Sequence, residues 1–218
     1  PSDDVKVLEP TSVLYLKPNN NWNVDNARFA AYFFGNGEKW VSMEKTFTTY
    51  SVKTPTDKAY PKVIFCRMNP SASANNWNNK WNQTGDLTIP TDGKNLFSVP
   101  SSSWDGSTTT WSNFNLSYSL IGSFNEWSED IVLSYDEDNL EFSVKKVQFD
   151  AKTEFKIRKT GDWGENYGYP HVETVSQTKY SGTDNIVLDN KGHYDIYFKK
   201  DCKIYIEQYY KIDFINSK

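Results

Sequence analysis

Arg28-Phe29-Ala30-Ala31-Tyr32-Phe33-Phe34-Gly35-Asn36-Gly37-Glu38-Lys39-Trp40 decides how this chain is read. In an extended strand alternate side chains point to opposite faces, so Phe29, Ala31 and Phe33 share one face and Ala30, Tyr32 and Phe34 the other. One face suits a core and the other a platform. The Gly-Asn-Gly turn lets the next segment fold back antiparallel, which brings Trp40 near Tyr32.

Outward from this stretch the same two-residue period recurs in Val13–Leu16, Ala27–Phe34, Lys62–Arg67, Leu116–Gly122, Leu140–Val147, Glu154–Arg158, Asn185–Leu188, His193–Phe198 and Lys203–Gln208. Turn residues separate the runs, as at Thr91-Asp92-Gly93, Asp136-Glu137-Asp138-Asn139 and Asp189-Asn190-Lys191-Gly192. No segment of comparable length has helical periodicity. The pattern predicts an all-β chain of two consecutive immunoglobulin-like antiparallel β-sandwich domains, 1–114 and 115–218. The boundary falls in the Ser/Thr/Asn-rich stretch Ser101–Asn115, whose Trp104, Trp111 and Phe114 imply a last strand packed on the first domain.

Composition narrows the function. The 218 residues are 16% aromatic, and 28 Asp and Glu against 24 Lys and Arg leave a net charge of -4. Binding to phosphate backbones needs clustered cations, so nucleic acid is not expected as a partner. No apolar run approaches membrane-span length, which predicts no membrane insertion. Pro1 opens a polar segment with neither initiator Met nor signal peptide, as expected of an excerpt from a larger multidomain chain, here taken to be monomeric. Cys66 and Cys202 fall in different predicted domains and are not expected to pair; no Cys/His spacing suits zinc, no acidic loop suits calcium, and no cofactor is predicted.

Catalysis is not expected. Most carboxylates lie in turns or beside Lys, and His171 and His193 accompany no nucleophile elbow. Tryptophan points elsewhere, because the C–H face of a sugar packs on an aromatic plane while its hydroxyls need polar partners around the rim. Asn75-Asn76-Trp77-Asn78-Asn79-Lys80-Trp81-Asn82-Gln83-Thr84 mixes Trp77 and Trp81 with amides in that way. In the second half, Trp127 follows the strand ending at Gly122, Lys156 and Arg158 alternate outward from Phe155 and Ile157, and Gly161–Gly168 forms a loop carrying Trp163 and Tyr167.

Over about residues 11–113, Val13–Lys17, Asn21-Trp22, Ala30–Phe34, Trp40, Val63–Phe65 and Asn82-Gln83-Thr84 with Asp86 resemble family 26 starch-binding modules. That resemblance implies an α-glucan site at Tyr32, Trp40 and Gln83, with Ala30 where the family commonly has an aromatic and Trp77 or Trp81 in the vacant role. Residues 116–208 resemble the starch-binding modules of pullulanases, glucoamylases and outer-membrane starch-binding lipoproteins, which implies a site at Trp127, Lys156 and Trp163. The joint expectation is a non-catalytic binder of starch-like α-glucans (amylose, amylopectin, maltooligosaccharides), part of an extracellular, secreted or cell-surface bacterial protein. Two other readings are a structural or protein-interaction pair that orients a neighbouring catalytic domain and a small all-β glycosidase.

Overall fold

A computed structural model describes residues 12–106, 109–173 and 178–209. The polar segment opening at Pro1 lies outside them. The chain divides into two compact units, Pro1–Asn115 and Leu116–Lys218.

Unit 1 holds β1 (Val13–Lys17), β2 (Arg28–Phe34), β3 (Glu38–Ser42), β4 (Glu44–Thr46), β5 (Thr49–Lys53), β6 (Lys62–Met68), β7 (Lys80–Gln83), β8 (Leu87–Thr88) and β9 (Leu96–Ser98). One sheet runs β4-β5-β1-β9; the other runs β3-β2-β6-β7, with β8 also on β6. Pairing is antiparallel except between β1 and β9. Leu14 and Leu16 from the first sheet meet Phe29, Ala31, Phe33, Val63 and Phe65 from the second in one core. Burying such side chains contributes about 1.5–3 kcal/mol each, and this inward stripe is the alternation of β2 made physical. The tight turn into β3 uses Gly35 and Gly37 at φ 99° and 87°, which side chains with a Cβ rarely adopt.

The described residues of the Ser101–Asn115 stretch do pack on unit 1, though as a covering segment with an isolated β-bridge at Leu96–Ser112 and side-chain bonds such as Trp22 Nε1 to the Trp104 carbonyl, not as a strand. Trp111 lies edge-on to Phe65 and Phe97, and Phe114 stacks on Tyr15 with centroids 3.9 Å apart. β1 is therefore buried on both faces.

Unit 2 holds β10 (Tyr118–Gly122), β11 (Ile131–Val132), β12 (Ser134–Asp136), β13 (Glu141–Phe149), β14 (Glu154–Lys159), β15 (Asp162–Tyr167), β16 (Tyr180–Gly182), β17 (Ile186–Leu188), β18 (Gly192–Lys199) and β19 (Ile204–Tyr209). Its sheets are β11-β10-β14-β17-β16, with β15 also on β14, and β12-β13-β18-β19. Rings from opposite sheets meet between them: Tyr118 on Phe198 at 4.7 Å and Phe155 on Phe149 at 6.2 Å. Both units are all-β sandwiches. Cys66 and Cys202 are free thiols, and burial pushes the Cys66 thiol up to about 12.

Among the described residues no helix is long and apolar enough to cross a membrane.

Candidate functional site

In unit 1, Tyr32 on β2 lies directly opposite Trp40 on β3, as the Gly-Asn-Gly turn requires. Their ring centroids are 5.0 Å apart. The loop after β6 then folds back over the outer face of the sheet. Arg28 holds that loop by donating to the carbonyls of Asn69, Ala72 and Ala74 and to the Asn75 side chain, and Asn75 donates to Ser42 Oγ on β3. Asn76 caps the short 3-10 turn Trp77–Asn79, which sets Trp77 edge-on to both Tyr32 and Trp40 at 4.7 Å. Tyr32 is left only 8% exposed, whereas Trp77 stays open to solvent. Burial and then the neighbouring Glu38 carboxylate push the Tyr32 phenol up to about 12.

The rim of this cluster is polar. Lys80 Nζ lies 5.6 Å from the Trp77 ring and donates to Gln83 Oε1, while Gln83 Nε2 donates to the Thr84 carbonyl.

Trp81 does not join it. β7 is bulged at Trp81, between the pairs Met68–Lys80 and Arg67–Asn82, and Trp81 lies against Arg67, with the guanidinium carbon 4.7 Å from its ring centroid. The pair Trp77 and Trp81, read together from one amide-rich stretch, belongs to two separate surfaces.

In unit 2, Trp127 and Trp163 come together at 6.1 Å with their planes 42° apart. Trp127 leaves β10 through a tight turn in which Glu126 and Trp127 both have left-handed φ, 54° and 57°, and its amide donates to the Gly122 carbonyl at 2.9 Å. Two consecutive non-glycine residues there store strain that the surrounding fold must hold. Trp163 is 44% exposed, with the Arg158 guanidinium 4.6 Å from its ring.

Arg158 is itself fixed by a two-pronged bond to Asp130, at 2.9 and 3.0 Å, and the same carboxylate accepts from the Gly161 amide. Arg158, Gly161 and the backbone around them hold the Asp130 carboxyl below its ordinary 3.8 despite some burial. A carboxylate so depressed stabilises the folded state above that ordinary value and loses its contribution as the pH falls through the lowered one. Acidification below about pH 4 is therefore expected to loosen Arg158 and shift Trp163 emission, and Asp130→Asn to remove that acid transition; an unchanged transition in the variant would contradict the assignment.

Three sequence expectations need correction here. Gly161–Gly168 is not a loop: Asp162–Tyr167 is strand β15, paired to β14 across a bulge, with Asn166 opposite Arg158 but Asp162 opposite the adjacent Lys159. The extra residues reverse the alternation, so Tyr167 faces inward on Phe198 and Tyr118 instead of accompanying Trp163. Its hydroxyl, like that of Tyr118, donates to Glu165.

Lys156, expected to project with Arg158, is only 8% exposed. Its Nζ bonds Asp184 Oδ1 at 2.8 Å, and Gly168 lies so close that a Cβ there would stand 3.0 Å from Lys156 Cε. The return of the chain through Gly168 and Asp184 covers it. His171 packs edge-on to Tyr167, and burial followed by the charges of Lys203 and Lys156 pushes its imidazole below its ordinary range.

No family model and no curated protein matches this chain. The chemistry must be judged from the geometry. Each cluster offers half-open indoles at an angle, one cation seated against a ring, and amide or carboxylate groups at the edge. At the second cluster the Asp130 carboxylate is bonded to Arg158 and held below its ordinary value. A general acid needs the opposite arrangement, a carboxyl raised toward neutrality. Among the described residues no group of three or more His, Cys, Asp or Glu is placed to hold a metal ion. Residues missed in the sequence are Asp130 and Asp184, which decide what Arg158 and Lys156 do, together with Arg67 and Trp104.

Proposed function

We propose that the chain binds starch-like α-glucans without cutting them, through Tyr32, Trp40 and Trp77 in unit 1 and Trp127 and Trp163 in unit 2. The observation that carries the reading is the tilt between an exposed and a partly buried indole in each cluster, 42° for Trp163 and Trp127 and 67° for Trp77 and Trp40. A flat chain such as cellulose matches coplanar rings; a helical α(1→4)-glucan presents successive sugar faces at an angle. Gln83 and Lys80 in the first cluster, and Arg158 and Asn166 in the second, supply hydrogen-bonding rims that a stacked glucose requires.

Each cluster alone binds weakly, because half-exposed stacking and rim hydrogen bonds return little after desolvation. Two clusters on one chain make a long polymer a multivalent target, which suits adhesion to starch by an extracellular or cell-surface protein.

Native gels containing amylopectin test the reading. Retardation is expected, with no release of reducing sugar from soluble starch. Migration unaffected by amylopectin would favour a protein-interaction role for the same rings, and reducing-sugar release would favour a glycosidase.

A further inference from the structure

Trp81 and Trp104 are 42% and 50% exposed, and neither belongs to the Tyr32 cluster. Both lean on one guanidinium: Arg67 Cζ lies 4.7 Å from the Trp81 ring centroid and 5.6 Å from that of Trp104. A cation within about 6 Å of an aromatic face attracts it.

Arg67 itself is buried and committed. Its Nε donates to the Trp22 carbonyl at 2.9 Å, one terminal nitrogen to the Val24 carbonyl at 3.0 Å and Asp25 Oδ2 at 2.8 Å, and the other to Asn82 Oδ1 at 3.2 Å. Trp104 is pinned from beneath. Its carbonyl accepts from Trp22 Nε1 at 3.1 Å, and Asn19 Nδ2 donates to the carbonyls of Pro100 and Ser103 on the same loop. Gly106, at φ 59°, closes the loop so tightly that a Cβ would stand 2.6 Å from the Gln83 carbonyl and 2.8 Å from the Trp22 ring.

Two large indoles are thus held in place by a rigid base while their outer faces remain in water. Burial gains nothing from that exposure, whereas a ligand that stacks on them meets rings whose ordering cost has already been met in folding. The charge of the base decides the ligand class. Arg67 spends its donors on carbonyls, Asn82 and Asp25, and the Asp25 side chain is itself largely exposed. Four of the five N–H donors of Arg67 are spent in these bonds, so an anion would meet a buried guanidinium with one donor left and the Asp25 carboxylate beside it; a neutral pyranose finds two ring faces with Asn82 and Asp25 at the rim for its hydroxyls.

We propose that Trp81 and Trp104 form a second neutral-sugar site on unit 1. It lies on the other side of β7 from Trp77, since Lys80 reaches the Trp77 ring while its neighbour Trp81 meets Arg67 on the inward face of β6. This site deepens the α-glucan reading and rests on it, making the first unit a two-sided grip on a branched or coiled polymer.

The test uses the full chain labelled with 15N at the tryptophan indoles and titrated with maltoheptaose, resonances being assigned by single Trp→Phe variants. Trp81 and Trp104 are expected to shift along a saturation curve of their own, with the core Trp111 still. In calorimetry, a Trp81→Ala/Trp104→Ala chain is expected to bind one fewer maltoheptaose per chain while the Trp40 and Trp77 resonances respond as before. Shifts confined to Trp40, Trp77, Trp127 and Trp163 would overturn this site and leave the α-glucan reading standing. No shift at any indole would overturn both.

Discussion

Replacing Arg67 with Met is expected to destabilise unit 1 by about 3–5 kcal/mol. The guanidinium is buried at the end of β6 and is the donor to two backbone carbonyls, those of Trp22 and Val24. Truncating one partner of such a bond leaves the other desolvated and unpaired, at a cost of about 1–3 kcal/mol for each group. Its ion pair with Asp25 adds little to this sum, because the Asp25 side chain is 65% exposed and returns to water when released. Trp22, fully buried and stacked against Phe29, would lose the anchor that orients its backbone. For a unit of this size each kcal/mol moves the melting temperature by roughly 4–8 °C, so calorimetry should show a fall well beyond 10 °C. Lys at the same position should recover little, since an ammonium cannot reproduce the planar fork. A loss below about 1 kcal/mol would mean that the Arg67 bonds merely replace bonds to water.

The largest expected effect on binding comes from removing both rings of the second cluster. Trp127→Ala with Trp163→Ala should weaken α-glucan binding at unit 2 by about 100-fold or more, since each central aromatic in a contact is commonly worth 2 kcal/mol or more. In the intact chain this appears as a lost set of sites, with those of unit 1 unchanged. The neighbouring cation provides a sharper contrast. Resemblance to starch-binding modules implies a role for Lys156, but its ammonium is turned onto Asp184 beneath Gly168. Lys156→Met is therefore expected to leave glucan affinity within about twofold while lowering stability, and Arg158→Met to reduce affinity by releasing Trp163. The reverse ranking, measured by titration with maltoheptaose, would show that Asp184 gives up its partner when sugar arrives.

What the sequence made legible was the periodic part. Phe29, Ala31 and Phe33 fall in the core and Tyr32 meets Trp40 because a strand has a fixed period and a Gly-Asn-Gly turn fixes the register. Trp77 was visible as an indole among amides. Its partners were not, since the fold-back depends on Arg28 reaching loop carbonyls that no side-chain pattern reveals. Tyr167 went astray because the glycines of Gly161–Gly168 signal a loop, whereas Asp162–Tyr167 pairs with β14 across a bulge and sets Tyr167 opposite the inward-facing Ile157. Lys156 failed differently: it lies on the outer face that periodicity assigns to it, but Asp184 returns from a distant part of the chain to cover it. Arg67 and Trp104 were unreadable for the same cause, contacts made between residues far apart in sequence. Alternation predicts which face a residue takes and says nothing of what later covers that face.

The central claim is that angled, half-open indoles on these two sandwiches hold α-glucan. Isothermal calorimetry of the intact chain with maltoheptaose tests it most directly, because one titration reports heat, affinity and the number of sites. Saturable binding of at least two maltoheptaose molecules per chain, absent with cellohexaose, is the predicted result. No heat with maltoheptaose, or equal binding of the β-linked oligomer, would contradict it.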